Sequence, residues 1–473
     1  FYILMSYLIC KNLSAEGEKK HAHFFNITLL PLVVALFVAI SPWSVHLSRI
    51  AYEANLAMAL FSGGLLSFLL FIRSSEVTTK KRAKSFNAYA SAILFSLTLF
   101  TYHSYQVFTP LFASALIIVF RKDLLKIWKL SKNTIIGPVT VFISLFILLI
   151  VSQNSGANST KFSGITIFSE KQYEQTLFEN RELTSTAPTI ASKLYISMPK
   201  LILDRVATNI MNIVSPQFLF IQGGSHGSHN FPGVGNMFWF SFLTLPLGIF
   251  IAVSLRTRFH TMLLLWVLMA MVAPIITIES AHSIRFSPAL IPLEMLSAIG
   301  LVSILQWSYS KSRVLGGIVT SIWAVLIAYS LYILVISYFI VFPSLGIKNW
   351  PDHPKLLADY VLNPAVRQNK ILIDDVESSP YIWILFYYPE HFRLDDIEYY
   401  EPSDEGFVHA KRLSNIHFGK IDWQKEASAS AQTLYIAKPR SFVDQNLSGL
   451  QMRQSTIIQS KNSDSSLVVI EKL

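Results

Sequence analysis

Cysteine and charged residues are both scarce in this sequence of 473 residues. The single cysteine, Cys10, excludes a disulfide within the chain and any metal site built from several cysteines. Lys, Arg, Asp and Glu make up 14% of the chain, against about 25% in ordinary soluble domains. Because so little charge cannot cover two or three soluble globules, the composition argues against a soluble enzyme.

Apolar residues are abundant instead. The AVILMFWYC set is 52% of the sequence and the mean hydropathy is +0.45, which excludes a disordered or fibrous chain. Runs long enough to span a bilayer predict a polytopic, mainly α-helical membrane protein. The candidate spans lie near 1–10 (a partial run), 25–43, 53–72, 87–102, 106–120, 134–152, 236–255, 260–279, 286–308 and 314–342.

The net charge of +10 follows from where the basic residues lie. Basic residues cluster in the links 11–23, 73–86, 121–133, 256–258 and 311–313, and these alternate with links that are nearly free of them. The alternation requires that 87–102 and 106–120 be two helices. By the positive-inside rule the basic links are cytoplasmic. The positive charge is thereby explained by topology, and nucleic acid is excluded as a partner.

This topology predicts two large extracytoplasmic segments. One is the loop 153–235, which belongs to a helix bundle spanning 1–342. The other is 343–473, where short β-branched runs starting at Ile371, Thr433 and Ser466 alternate with helical stretches and predict a small α/β domain. The chain opens Phe-Tyr-Ile-Leu without a basic n-region, so we expect it to begin inside a membrane helix, with further helices before it.

Ionisable residues near membrane depth are candidates for function. His46, Arg49 and Glu53 are spaced i, i+3 and i+7, which predicts one shared helix face at the outer surface. A carboxylate beside an arginine there can organise a phosphate-bearing ligand or assist proton transfer. An Arg49–Glu53 pair with interfacial Trp43 and His46 explains the same residues equally well.

A second cluster holds Tyr102, His103 and Gln106 at the outer end of a helix, where their spacing points them in similar directions. They are candidates for lining a substrate cavity. Interfacial aromatic residues explain the tyrosine at least as well.

A third cluster pairs His282 with Arg285 in an outer link whose other charge is Glu279. An arginine there runs against the positive-inside tendency, and a lipid phosphate is its natural partner. Pairing with Glu279 or interfacial anchoring remains the alternative.

A fourth segment, 215–235, is rich in glycine and must make tight turns or approach a ligand closely. It lacks the Gly-Lys-Ser/Thr context of a nucleotide phosphate loop. His226 and His229 have no cysteine or carboxylate beside them, so solvated loop histidines are favoured over metal ligands.

Three of these segments together resemble a known family. Ser41-Pro-Trp through Glu53-Ala-Asn55, Ser215-Pro-Gln-Phe-Leu-Phe through Gly235, and His282 through Pro292 are similar, in matching order, to bacterial integral-membrane glycosyltransferases. Those enzymes have the GT-C fold and are related to protein O-mannosyltransferases and the lipid A aminoarabinose transferase. The resemblance covers about residues 1–310 and leaves the C-terminal region unmatched.

The resemblance implies a GT-C helix bundle in the inner (plasma) membrane. It implies transfer of a hexosyl or pentosyl group from a polyprenyl-phosphate carrier to a glycan, lipid or protein acceptor on the extracytoplasmic side. Glu53 matches a second acidic residue that is often Asp in the family, and the family's principal acid would precede residue 1. The sequence leaves a divalent metal open and shows no metal ligands.

The site residues follow from the clusters and the resemblance together. Arg49, His282 and Arg285 are expected to bind the carrier phosphate, and Glu53 to act in catalysis. The substrate cavity is expected to be lined by His46, Tyr102, His103, Gln106 and His229.

Two rival functions remain. A lipid or glycan transporter of the cell envelope would place charges at mid-membrane and break paired helices, whereas here the polar clusters gather at one face. A structural scaffold that binds envelope partners leaves Glu53 and Arg285 unexplained.

Overall fold

The computed structural model describes residues 1–14, 28–74, 81–153, 166–168, 173, 176–179, 195–345, 353–366, 370–374, 379–400, 409–426, 433–441, 452–459 and 466–472. These residues form two compact units. The first holds the described residues of 1–156 and 165–340 and is helical, and the second holds those from 341 onward and contains a sheet.

In the described part of the helical unit, the α-helices of eight residues or more follow one another in this order. They are α1 (Tyr2–Ser14), α2 (Leu30–Ile40), α3 (Pro42–Arg49), α4 (Glu53–Arg73), α5 (Lys81–Thr101), α6 (His103–Val119), α7 (Arg121–Leu130), α8 (Asn133–Gln153), α9 (Met198–Val214), α10 (Ser241–Leu255), α11 (Arg258–Ile275), α12 (Leu290–Lys311) and α13 (Arg313–Ile336). Single π-helical turns lie at Gln217–Ile221 and Ser337–Val341. The mainly helical architecture and the separation of 87–102 from 106–120 are thus confirmed.

Five helices of the described chain are long and apolar enough to cross a membrane, and six if α2 and α3 form one bent span. The five lie at Glu53–Arg73, Asn133–Ser152, Arg258–Ile275, Ser287–Lys311 and Arg313–Leu345. Helices α6 and α10 are apolar but shorter than such a span. Fewer helices therefore meet this length and hydropathy criterion than the apolar runs in the sequence indicated.

The predicted continuous helix through His46, Arg49 and Glu53 is wrong. Helix α3 ends at Arg49 and α4 begins at Glu53, and between them Ala51 has φ 51°, a left-handed conformation that ends a helix. The three side chains therefore do not share one helix face. A second break precedes α3, where α2 and α3 meet at 52°.

Pro42 explains that earlier break. It has no N–H to continue the α2 ladder, and its ring forces the preceding Ser41 into extended backbone, with φ −52° and ψ 128°. The main-chain N–H of Trp43, which the break leaves without a partner in its own helix, donates to the carbonyl oxygen of Asn236 at 3.1 Å. The break gives α3 its own direction and directs its polar end toward the later loops.

Helix α12 is the centre of the helical unit. It packs against α2, α10, α11 and α13, and nearly all of its first half is buried. Two glycines let α10 and α12 touch: a Cβ at Gly248 would lie 1.8 Å from the Leu296 carbonyl oxygen, and one at Gly300 would lie 2.0 Å from that of Thr244. The Thr244 and Ser297 hydroxyls bond at 2.6 Å beside this contact.

The second unit is built on a seven-stranded mixed sheet of order β2-β3-β4-β1-β5-β7-β6. Its elements are α14 (Phe342–Leu345), α15 (His353–Val361), β1 (Lys370–Ile373), α16 (Pro380–Tyr387), β2 (Ile397–Tyr399), β3 (Ala410–Leu413), β4 (Ile416–Phe418), α17 (Trp423–Glu426), β5 (Thr433–Ala437), β6 (Met452–Gln459) and β7 (Ser466–Lys472). The central β4-β1-β5 strands are parallel, and the remaining pairings are antiparallel. The three β-branched runs are β1, β5 and β7, as predicted.

Each face of this sheet is covered. Helices α15 and α16 contribute Leu357 and Ile384 to one core, which packs against Ile371 and Ile436. Trp423 belongs to the core on the other face. The alternation of β-branched side chains between two buried faces explains why these strands read as short continuous apolar runs.

The α10–α12 contact generates a stability prediction. We expect Gly300→Ala to lower the free energy of unfolding by about 1–3 kcal/mol, because the new methyl group displaces a backbone carbonyl in a packed interface. Gly317→Ala is the matched control, since a Cβ there meets nothing within 4 Å and alanine favours the helix. Thermal unfolding of both purified variants measures this, and equal melting temperatures would contradict the close contact.

Candidate functional site

The candidate site is built around the link 276–289, between α11 and α12, which other segments hold by its backbone. Asn209 of α9 donates from Nδ2 to the carbonyl oxygens of Ile275 at 2.7 Å and Thr277 at 2.9 Å. The neighbouring Arg205 donates to the carbonyl of Ile278. The polar face of α9 therefore fixes one end of the link.

The glycine-rich segment fixes the middle of the link. The Ser225 N–H bonds the Ala281 carbonyl oxygen at 2.9 Å, and a Cβ at Gly224 would lie 2.8 Å from that same oxygen. Asn230 bridges the two segments: its Nδ2 donates to the Gly224 carbonyl at 2.9 Å, and its Oδ1 accepts from the Ser283 hydroxyl. The glycines thus serve close approach of one backbone segment to another.

Helix α3 meets the same two segments. The Trp43 indole N–H donates to the Ser283 carbonyl at 3.0 Å, and the His46 Nε2 lies 3.0 Å from the Ser228 carbonyl oxygen. The His46 ring also packs edge-on against Phe231, with centroids 4.6 Å apart. The buried His46 therefore joins α3 to the glycine-rich segment.

Three histidine rings come together where these segments meet. His226 stacks on His229 with centroids 4.1 Å apart, and His229 lies 4.4 Å from His282. The Tyr52 ring packs edge-on against His229 at 5.4 Å. Ring stacking differs from the convergence of ring nitrogens that a metal requires, and among the described residues no group of three or more His, Cys, Asp or Glu could hold an ion.

Arg285 and Glu279 flank this histidine stack. The Arg285 guanidinium donates from Nη1 to the Glu279 carbonyl oxygen at 2.9 Å. The Glu279 carboxylate instead accepts from the Ser225 hydroxyl at 2.8 Å and lies 4.0 Å from His282 Nε2. The Arg285 N–H donates to His282 Nδ1 at 3.3 Å, which places the proton of the neutral ring on Nε2.

Burial keeps two of these histidines neutral. It lowers the pKa of His282 to about 2, with further lowering from the charge of Arg285 and the neighbouring histidines. It lowers the pKa of His229 to about 3, again helped by His226, His46 and Arg285. Burial and Arg285 outweigh the Glu279 carboxylate because that group is partly exposed. At neutral pH His229 and His282 therefore carry uncharged N–H groups, and they lie beside the permanent positive charge of Arg285.

Tyr102 and Glu53 lie beside this site. The pKa of Tyr102 rises to about 12, chiefly through burial, and the charges of both Arg285 and Glu53 act on its hydroxyl. Glu53 is exposed and is the first residue of α4, where its carboxylate faces the positive end of the helix dipole. The Tyr102 hydroxyl therefore interacts electrostatically with Arg285, the predicted phosphate-binding cation, and with Glu53, the predicted catalytic carboxylate.

Arg49 is joined to the site through aromatic rings. Its guanidinium carbon lies 4.5 Å from the centroid of the Tyr338 ring. Tyr338 packs against Phe231 at 5.7 Å, and Phe231 touches His46. Arg49 is exposed, and its cation–π contact with Tyr338 lies at the outer end of this chain of aromatic contacts.

The remaining predicted residues of the second cluster have separate surroundings. Gln106 donates from Nε2 to the carbonyl oxygen of Leu99 at 3.0 Å and so covers the end of α5. His103 is exposed at the start of α6, with its ring centroid 6.4 Å from that of Tyr102.

Glu294 is a candidate that the sequence reasoning missed. It lies in the first turns of α12, is only 3% exposed, and its carboxyl is hydrogen-bonded to the side chain of Ser41 at the α2–α3 break. A single acidic residue inside an apolar run is itself a signal, because such a residue is costly to bury. The predicted span 286–308 contained that signal.

The comparisons with known proteins give only distant structural likeness. No family model and no curated protein matches the chain. The apo oligosaccharyltransferase of Archaeoglobus fulgidus superposes with a TM-score of 0.42 and 14% identity, over 81% of this chain and 51% of that one. The enzyme AglB from Archaeoglobus fulgidus, in complex with an inhibitory peptide and a dolichol-phosphate, gives 0.43 and 11% over 92% and 57%.

The chain thus spans about half the length of the solved structures it matches. Similarity this low does not assign the chain to that family or to its activity.

The buried histidines generate a prediction for pH. The folded pKa of His282 is about 2, whereas in the unfolded chain it returns to about 6.5. Below that value the unfolded state binds more protons, so stability falls as the pH drops from about 6.5. We expect His282→Asn to lose less stability than the parent between pH 7.5 and 5, by up to about 2 kcal/mol.

Thermal unfolding across this pH range measures the difference. His103→Asn is the control, because that side chain is exposed. Parallel curves for the parent and His282→Asn would show that His282 is not held neutral by the fold.

Proposed function

We propose that this protein is a multi-pass membrane glycosyltransferase that moves a sugar from a polyprenyl-phosphate carrier to an acceptor on the extracytoplasmic side. The observation that carries the proposal is the Arg285 guanidinium, which lies beside the neutral His282 and His229 in a link held by hydrogen bonds from three other segments. The resemblance of the same segments to GT-C glycosyltransferases supports it.

Membrane embedding is supported by the outer surface of the helices. The strongly apolar helix α8 is mostly unburied within the protein, as is α13. Ile147 and Val325 are 54% and 66% exposed. A soluble protein rarely leaves such continuous apolar surface in water, whereas a bilayer covers it at no cost.

The electrostatics of the site suit a phosphate diester. Arg285 supplies a permanent positive charge and a fork of donors that can hold two phosphate oxygens. The neutral imidazoles of His282 and His229 add N–H donors without adding charge. The Arg285 cation can balance the single negative charge of a phosphate diester, and their attraction is stronger where water is scarce.

The reaction would then proceed by displacement. The acceptor hydroxyl attacks the anomeric carbon, a new glycosidic bond forms, and the bond to the phosphate oxygen breaks. Arg285 stabilises the charge that develops on the leaving polyprenyl phosphate. Glu53, exposed and acting electrostatically on Tyr102, is proposed to take the acceptor's proton or to stabilise positive charge on the sugar.

One observation speaks for transport as an alternative. The bent α2–α3 pair and the buried Glu294 beside its break resemble the broken helices of transporters. Transporters of that kind have a corresponding break in a second repeat, whereas the described spans contain one bent pair. Release of free polyprenyl phosphate during turnover would separate transfer from transport.

Donor binding by Arg285 variants tests the proposal. We expect Arg285→Lys to weaken binding of a polyprenyl-phosphate sugar and Arg285→Ala to weaken it more, because an ammonium lacks the paired donors of a guanidinium. Loss of one charged hydrogen-bonding contact costs roughly 1.5–3 kcal/mol, which is about ten- to a hundredfold in affinity. The measurement is donor titration of the purified protein in nanodiscs.

Arg313→Ala is the matched control, because Arg313 is an exposed arginine in a link predicted to lie on the opposite face. Its donor affinity should equal that of the parent. Unchanged affinity in Arg285→Ala, with normal thermal stability, would reduce Arg285 to an interfacial anchor.

A further inference from the structure

The short helix α7, between α6 and α8, has a buried side and a mixed outer side. Asp123 and Ile127, one turn apart, are buried. On the outer side Leu125 is 58% exposed and Trp128 is 39% exposed, and their spacing puts them on one stripe. A helix of this kind has an apolar stripe that its own protein leaves uncovered.

An ion pair fixes the orientation of α7. Arg258, at the start of α11, donates from Nη1 to Asp123 Oδ2 at 2.7 Å, and its guanidinium carbon lies 6.0 Å from the centroid of the Phe120 ring. Asp123 is the one acidic residue in the α7 sequence. The pair therefore holds the outer stripe in place and neutralises the helix's own negative charge.

A basic stripe runs beside the apolar one. Lys122, Lys126 and Lys129 are all exposed, and their spacing of four and three residues aligns them along the helix. The Lys132 ammonium, just past the helix, lies 5.9 Å from the centroid of the Trp128 ring. Tryptophan and leucine flanked by lysines are the pattern of helices that lie in a membrane interface.

We infer that α7 lies in the headgroup layer and binds anionic phospholipids, with Leu125 and Trp128 in the acyl boundary and the three lysines on lipid phosphates. The inference rests on the proposed membrane embedding. Charge complementarity favours an anionic lipid. The lysine stripe is basic, and the acidic residue of α7, Asp123, is already paired with Arg258. A zwitterionic lipid surface has no net negative charge to attract the lysines. This surface is separate from the candidate site.

A fluorescence-quenching experiment tests the inference in the intact protein. A bimane label at Leu125→Cys is placed in nanodiscs that carry spin-labelled phosphatidylglycerol or spin-labelled phosphatidylcholine. Cys10 is fully buried, and Cys10→Ala removes any background. Since each basic residue near an anionic surface contributes about fivefold, we expect phosphatidylglycerol to quench several times more strongly than phosphatidylcholine.

The lysines should account for that preference. Replacing Lys122, Lys126 and Lys129 together by Gln should remove most of the difference in quenching between the two lipids. About 0.5 M salt, which shortens the Debye length to a few ångströms, should have the same effect. The matched control replaces Lys355, Lys370 and Lys420 by Gln, all exposed in the sheet unit. That variant should keep the preference.

Two further label positions separate the possible failures. A label at Ile147→Cys on α8 should be quenched by both lipids, and one at Gln424→Cys in α17 by neither. Quenching at position 147 without quenching at 125 would overturn the inference and leave embedding intact. Equal quenching at 125 by both lipids in the parent would overturn the anionic selectivity. Absence of quenching at 147 would overturn the embedding itself.

Discussion

The candidate site depends on the hydrogen bonds that other segments donate to the backbone carbonyl groups of the link 276–289. This stretch leaves α11 and enters α12 without a helix of its own for most of its length, and buried carbonyl groups need donors. Donors come from three directions: Asn209 on α9, Ser225 in the glycine-rich segment and Trp43 on α3. Each of these hydrogen bonds also holds its own segment, whether α9, the glycine-rich segment or α3, close to the link that carries Arg285 and His282.

The same packing determines the electrostatics. Because the link and the glycine-rich segment cover each other, His229 and His282 lose water and stay neutral. The Arg285 guanidinium is a permanent cation, and its Nη1 donates to the backbone carbonyl oxygen of Glu279. A rigid cation with neutral donors around it is preorganised for an anion, which is the condition for stabilising a phosphate leaving group.

Hydropathy predicted the long apolar helices and the three β-branched strands, because burial in lipid or in a sheet core leaves a strong periodic signal. The separation of 87–102 from 106–120 followed instead from the alternation of basic links. Hydropathy could not predict the bend at Ala51, since an alanine with positive φ has no sequence signature. Nor could it predict the histidine stack. His226 and His282 are far apart in the chain, and hydrogen bonds such as Ser225–Ala281 and Asn230–Ser283 bring their segments together.

The proposed function requires the candidate site to lie on the extracytoplasmic side of the membrane. The most direct measurement is labelling of single-cysteine variants in intact cells with a membrane-impermeant maleimide. Ser225→Cys, exposed in the glycine-rich segment, should react from outside, and Gln424→Cys in the sheet unit should react as well. Lys122→Cys on α7 should react only after the membrane is permeabilised. Labelling of Lys122→Cys in intact cells, with Ser225→Cys protected, would show that the candidate site lies on the cytoplasmic side and would contradict the proposed function.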